Sequence, residues 1–158
     1  MIDNYLKFSL FYLLWLVVHE SAHILSAFLF RLDIHGIGFR IRPIPHVYVE
    51  IDKRNSPIKK FFFTASGVGV IFLLWLYFKI SSYNLNFIAS LTLTLQLITD
   101  TNPFYSDLQV LSKMFFRIKN NDIHSYFFSN IGILHFIVWG MEIIYMINYI
   151  KGILYYEV

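Results

Sequence analysis

The chain contains no cysteine. Disulfides and thiolate metal ligands are therefore excluded, and the redox compartment is left open. Charge is scarce as well: Asp, Glu, Lys and Arg supply 15% of the 158 residues, against about 25% in soluble domains. Hydrophobic residues make up 57% and aromatic ones 20%. A chain this apolar could not cover its surface with polar groups in water, so the bilayer is its natural solvent. The formal charge of +3 is modest. Basic residues gather in loops rather than in a patch interleaved with exposed aromatics, which argues against a nucleic-acid partner. No low-complexity tract, internal repeat or soluble accessory domain is evident, so a single membrane-embedded domain over residues 1–158 is expected.

Long apolar runs are what the sequence does have. Residues 6–30 are interrupted mainly by Lys7 and a His-Glu-Ser-Ala-His run. A helix needs about 20 residues to cross the hydrocarbon core, so this segment suffices with some tilt. A signal peptide fits it poorly, because the run is too long, carries charge and lacks a small-x-small cleavage site. Residues 61–80 form a second span. A third begins near residue 85 and meets Asp100-Thr101-Asn102-Pro103, where proline disfavours helical geometry at the preceding residue. A helix over 85–114, broken near 102–103, would complete that crossing if the freed backbone is buried in protein or lines a cavity. Residues 131–150 form the fourth span. Between the first two spans, Ile37, Phe39 and Ile41 alternate with polar or small residues, and so do Val47, Val49 and Ile51. Period-two alternation on both sides of Pro43-Ile44-Pro45-His46 predicts a β-hairpin over 37–51. The expected fold is an α-helical integral membrane protein with about four transmembrane helices and a β-hairpin between the first and second.

Charge orients this bundle. The side holding residues 31–60 and 105–130 carries ten Lys and Arg residues, while the other carries only Lys7, Lys79 and Lys151. The positive-inside rule puts the hairpin side in the cytoplasm.

His19 and His23 are four residues apart, so on a helix their rings project from one face. That spacing lets both reach a single Zn²⁺ at about 2.0–2.1 Å. Glu20 lies about 100° around the helix, better placed to take a proton from a metal-bound water than to replace a histidine. With six histidines in the chain, chance gives roughly 0.006 occurrences of such a motif. The motif also falls in an apolar span, where ionisable groups are expensive and usually mark function.

A catalytic zinc takes three protein ligands and keeps one open position. His35, His46, His124, His135, Asp100, Asp107, Asp122 and Glu142 are the candidates for the third. Asp107 follows the Asn102-Pro103 break towards the cytoplasmic end of its span and could approach the histidine pair. Asp100 competes with it, its bland role being a cap or turn partner. His35 and His46 belong to the hairpin. His135 and Glu142, seven apart in the last span, could pair with each other.

A membrane-embedded His19-Glu20-Ser21-Ala22-His23, followed by Asn102-Pro103-Phe104-Tyr105-Ser106-Asp107 in a later span, resembles the site-2 protease family of intramembrane zinc metalloproteases. Thr64-Ala65-Ser66-Gly67-Val68-Gly69 is similar to that family's small-residue Gly-Pro segment. Leu108 stands where the family usually has glycine, Val68 where it has proline, and Ile71 where an asparagine often follows. The resemblance implies Asp107 as third zinc ligand, Asn102 and Pro103 as the break that positions it, and Glu20 as the catalytic proton acceptor. It further implies peptide hydrolysis within or near a transmembrane segment or membrane-associated precursor, with the hairpin edge receiving an extended substrate. The family's small members act in bacterial cell membranes, so that location is expected, with the site towards the cytoplasm. Regulation would come from a separate membrane partner, a homo-oligomer or substrate supply. A non-proteolytic membrane zinc-binding protein is the alternative, since it needs the ligands but not Glu20.

Overall fold

The computed structural model describes residues 2–40, 46–52, 55–81, 85–104, 106–116, 126 and 128–156. The expected turn at Pro43-Ile44-Pro45 lies outside them, as do His124 and Asp122 among the candidate ligands. Among the described residues the elements run in the order α1 (Ile2–Leu29), β1 (Ile34–Arg40), β2 (His46–Ile51), α2 (Pro57–Ile80), α3 (Phe87–Asp100), α4 (Asp107–Phe115) and α5 (Asn130–Tyr156).

Three of these helices, α1, α2 and α5, are long and apolar enough to cross a membrane. At 1.5 Å per residue, the 24 residues of α2 reach about 36 Å, more than the roughly 30 Å hydrocarbon core. The 14 residues of α3 reach only about 21 Å. The third predicted span is therefore two helices, with non-helical backbone at residues 101–104 and 106 between them. Large apolar side chains point outward along the long helices, among them Leu10, Leu13 and Val17 of α1 and Leu134, Ile137 and Met141 of α5. A surface this apolar suits lipid and would be a liability in water.

Local chemistry sets the helix ends. Pro57 opens α2, where its missing N–H costs nothing. Asn86 caps α3 by accepting from the Ala89 amide at 2.8 Å, and Ser106 caps α4 by accepting from Gln109 at 3.2 Å. The end of α1 is a Schellman turn: Leu32 N–H donates to Ala27 at 2.8 Å and Arg31 N–H to Phe28 at 3.1 Å. Its left-handed position is filled by Arg31, at φ 50°, rather than by glycine.

That turn feeds the hairpin, an antiparallel pair slightly longer than the predicted 37–51. Gly38 faces Tyr48 across the strands, and the tyrosine ring occupies the space a Cβ at residue 38 would need. Val49 and Ile51 pack on Ala27, Leu32 and Phe63, which seats the hairpin on the ends of α1 and α2. Ile37 remains 60% exposed, so the hairpin's apolar surface is only partly covered.

A second cluster of Trp15, Ile71, Leu93 and Leu97 joins α1, α2 and α3. The Trp15 indole donates to Thr92 Oγ1 at 3.1 Å and to the Ala89 carbonyl at 3.3 Å, locking the register of α1 against α3. This three-helix core positions the polar centre described next.

Candidate metal centre

His19 and His23 project from α1 into the helical core, where both are buried. Their Nε2 atoms stand 3.1 Å apart. Asp107, the first residue of α4, brings Oδ2 to 2.9 Å from His23 Nε2 and 3.2 Å from His19 Nε2. The histidine pair and Asp107 thus come together, separated by 84 residues along the chain but adjacent in space.

The other ring nitrogens are already engaged. His19 Nδ1–H donates to Asp100 Oδ2 at 2.8 Å, and His23 Nδ1–H donates to the Phe63 carbonyl at 2.8 Å. With Nδ1 carrying the proton, each Nε2 turns a lone pair towards Asp107. Three electron-rich atoms then face one point. That arrangement is repulsive alone and favourable around a cation. The second carboxylate oxygen of Asp100 is held by Gln96 Nε2 at 2.9 Å, so the carboxylate orienting His19 is itself oriented. Asp100 stands behind His19 rather than among the three grouped ligand atoms. Its role behind His19 was not read from the sequence, although a carboxylate in an apolar segment is a signal of function.

The donor set fits a metal ion. Ligand atoms around a tetrahedral zinc at about 2.05 Å lie roughly 3.3 Å apart, close to the 2.9–3.2 Å edges of this triangle. Space is provided by Gly67 of α2. A Cβ built there would lie 2.6 Å from His19 Nε2 and nearer still to His23 Nε2. Only glycine lets α2 approach the two imidazoles this closely. The sequence placed Gly67 in a run of small residues, but its register against the histidines exists only in the folded bundle.

Glu20 is half-buried beside this cluster, close enough to interact electrostatically with His19, His23, Asp100 and Asp107. Its Oε2 is buried and has no hydrogen-bond partner among the described residues. Three carboxylates surround two histidines here, and a buried excess of negative charge favours a cation.

The break between α3 and α4 delivers Asp107. Pro103 is fully buried, and Asn102 ties the segment together: Oδ1 accepts from Phe104 N–H at 3.0 Å and Nδ2 donates to the Thr99 carbonyl at 2.5 Å. The Ser106 hydroxyl donates back to the Asn102 carbonyl. Asp107 itself sits in the first turn of α4, where the helix dipole favours a carboxylate. Helix α5 braces the break from outside. Trp139 Nε1 donates to the Ile98 carbonyl at 2.9 Å, His135 Nε2 to the Thr101 carbonyl at 2.6 Å, and the Thr101 hydroxyl reaches Glu142 Oε2 at 2.5 Å. Tyr126 completes the set by donating to His135 Nδ1 at 2.6 Å. His135 and Glu142 thus share Thr101 as partner instead of pairing with each other. These contacts answer the carbonyls that the end of α3 leaves open. His35 lies apart, 3.5 Å from Asp52 at the hairpin.

Fold and centre together define a helical protein with three helices of membrane-spanning length, built around a buried His19/His23/Asp107 group that could hold a metal ion. Comparisons with protein-family models, with curated proteins and with solved structures find no match.

Proposed function

We propose that this protein is an intramembrane zinc metalloprotease similar to the site-2 protease family. The observation that carries the reading is the meeting of His19 Nε2, His23 Nε2 and Asp107 Oδ2 within 2.9–3.2 Å of one another in a buried, helical setting, with Glu20 beside them. Two imidazoles and a carboxylate are the ligand chemistry of a catalytic zinc with an open position. Bound there, zinc supplies a Lewis acid that polarises a peptide carbonyl and acidifies water.

The chain's own residues do the rest. Glu20 Oε2 accepts a proton from the attacking water and returns it to the leaving amine nitrogen. Among the described residues no partner competes for that oxygen, which suits it to the task. Asp100 and the Phe63 carbonyl hold the two rings in the tautomer that presents Nε2. The braced break between α3 and α4 keeps Asp107 in place, and with those two helices it acts as a fourth, interrupted crossing. His19, His23 and Asp100 are buried in the core of α1, α2 and α3, where a low local dielectric strengthens their electrostatic interactions.

A transmembrane substrate has its backbone groups paired internally, so it must unwind before attack. The β1–β2 hairpin sits on the same ends of α1 and α2 that flank the centre, and a strand edge there can take an extended peptide by strand pairing. The excess of basic residues on the hairpin side argues that the site opens to the cytoplasm.

The test is cleavage of a co-expressed single-span substrate by the wild type and by Glu20→Gln, with zinc stoichiometry measured in both purified proteins. Glu20→Gln should keep its zinc and lose cleavage by about 10²–10⁴-fold. A metal carrier or a peptide-binding relative needs the three ligands without a proton acceptor. Full cleavage by Glu20→Gln overturns the mechanism, and zinc binding without cleavage in the wild type favours the carrier.

A further inference from the structure

We propose that the cavity at the Lys79 end of α2 binds the phosphate of a phospholipid headgroup. The cavity measures about 240 Å³ and is lined by Trp75, Lys79, Ser81, Ser90 and Tyr149, with Leu93 among its apolar walls. Twelve residues separate Lys79 from Gly67, so the cavity lies roughly 18 Å along α2 from the metal centre. It is a second site, and it does not depend on the protease reading.

Among the described residues, the lining offers donors and no carboxylate. Lys79 Nζ stands 4.2 Å from the centroid of the Tyr149 ring, 5.5 Å from that of Tyr145 and 5.8 Å from that of Trp75. Aromatic faces hold the ammonium in place without using up its N–H groups on an acceptor oxygen. Ser81 Oγ is buried and has no hydrogen-bond partner among the described residues. Ser90 Oγ accepts from the Tyr149 hydroxyl at 3.1 Å, which leaves its own hydrogen to donate. One cation and two hydroxyl donors around one space are the chemistry of an oxyanion site.

Depth selects the source of the anion. Lys79 is in the last turn of α2, and that helix outreaches the hydrocarbon core, so its ammonium falls at the level of lipid headgroups. Trp75, Tyr77, Tyr145 and Tyr149 surround the same level, as aromatic belts do. The volume is below the roughly 300 Å³ at which pockets for drug-sized ligands begin, and suits a headgroup. Phosphate on a lipid is abundant at that depth, while inorganic phosphate would have to be drawn from water.

The full chain, purified in neutral detergent, is titrated with short-chain phosphatidylglycerol, short-chain phosphatidylcholine, a diacylglycerol of the same chain length, and inorganic phosphate. Native mass spectrometry counts bound lipid, and tryptophan fluorescence follows Trp75. Both phospholipids should bind one per chain, and diacylglycerol and inorganic phosphate should not. Lys79→Gln should weaken phospholipid binding about fivefold to tenfold, with Lys79→Arg retaining it. Ser81→Ala, which leaves the charge and the fold alone, should weaken it by about fivefold. Unchanged binding in both Lys79→Gln and Ser81→Ala overturns the site. Diacylglycerol binding as tightly as the phospholipids overturns phosphate recognition. Inorganic phosphate binding as tightly as they do overturns the lipid source.

Discussion

Replacing Gly67 with alanine adds one methyl group at the point where α2 meets the histidine pair. The added Cβ would stand 2.6 Å from both Cε1 and Nε2 of His19, and closer to Nε2 of His23. Carbon and nitrogen atoms settle at about 3.5 Å, so α1 and α2 must separate, or the rings must swing, by roughly 1 Å. Neither ring can swing freely, because Asp100 and the Phe63 carbonyl hold them from behind at 2.8 Å. A displacement of that size breaks the triangle with Asp107, and zinc affinity should fall at least about 10–100-fold, the cost of disturbing a ligand's supporting contacts. On the proposed protease reading, substrate cleavage should fall about 100-fold with it. Gly69 supplies the control. It lies two residues along the same helix, and a Cβ there meets nothing within 4 Å. Both substitutions gain about 1 kcal/mol of helix propensity, so loss of helix cannot explain a difference between them. Chelator competition on the two purified variants is the assay. Equal zinc affinity in Gly67→Ala and Gly69→Ala would refute the close approach of α2 and, with it, the assigned geometry of the centre.

Three further outcomes follow from particular contacts. Asp100→Ala removes the acceptor behind His19 Nδ1, and zinc affinity should drop about 10–100-fold while Asp100→Asn recovers part of it; an unchanged affinity in both would remove Asp100 from the centre. Thr101→Val deletes the hydroxyl that meets Glu142 and should cost about 1–3 kcal/mol, read as a lower melting temperature in detergent, with zinc bound more weakly because the break loosens. A melting temperature equal to the wild type would show that α5 does not brace the break through this contact. Arg31→Gly relieves the left-handed backbone at the end of α1 and should stabilise the protein by about 1 kcal/mol; destabilisation would contradict the Schellman turn.

Much of the architecture was legible in the order of the residues. Length and apolarity announce α1, α2 and α5, because a bilayer demands a run of about 20 apolar residues whatever the neighbours are. Alternation announced the hairpin, since a strand with one covered face repeats every two residues. The spacing of His19 and His23 puts two imidazoles on one helical face before any tertiary contact forms. Asn102 and Pro103 marked an interruption, because proline constrains the residue before it wherever it stands.

What the order of residues left open is set by contacts between distant segments. Asp100 and Asp107 were both candidates for the same ligand position, and the fold gives them different roles: one oxygen of Asp107 meets both Nε2 atoms, while Asp100 sits behind His19. The division depends on where α3 stops and on how the turn and cap before α4 redirect the chain. Gly67 carries no mark distinguishing it from Gly69, yet only one of them faces the histidines. His135 and Glu142 suggested a pair by their spacing, and both turn to Thr101 because the open end of α3 offers partners there. By itself, the sequence determined the helices, the hairpin and the two histidines, since periodicity, apolar length and proline act locally. The tertiary structure alone decided which carboxylate meets them, which glycine makes room and what holds the break, because those depend on atoms brought together from five helices.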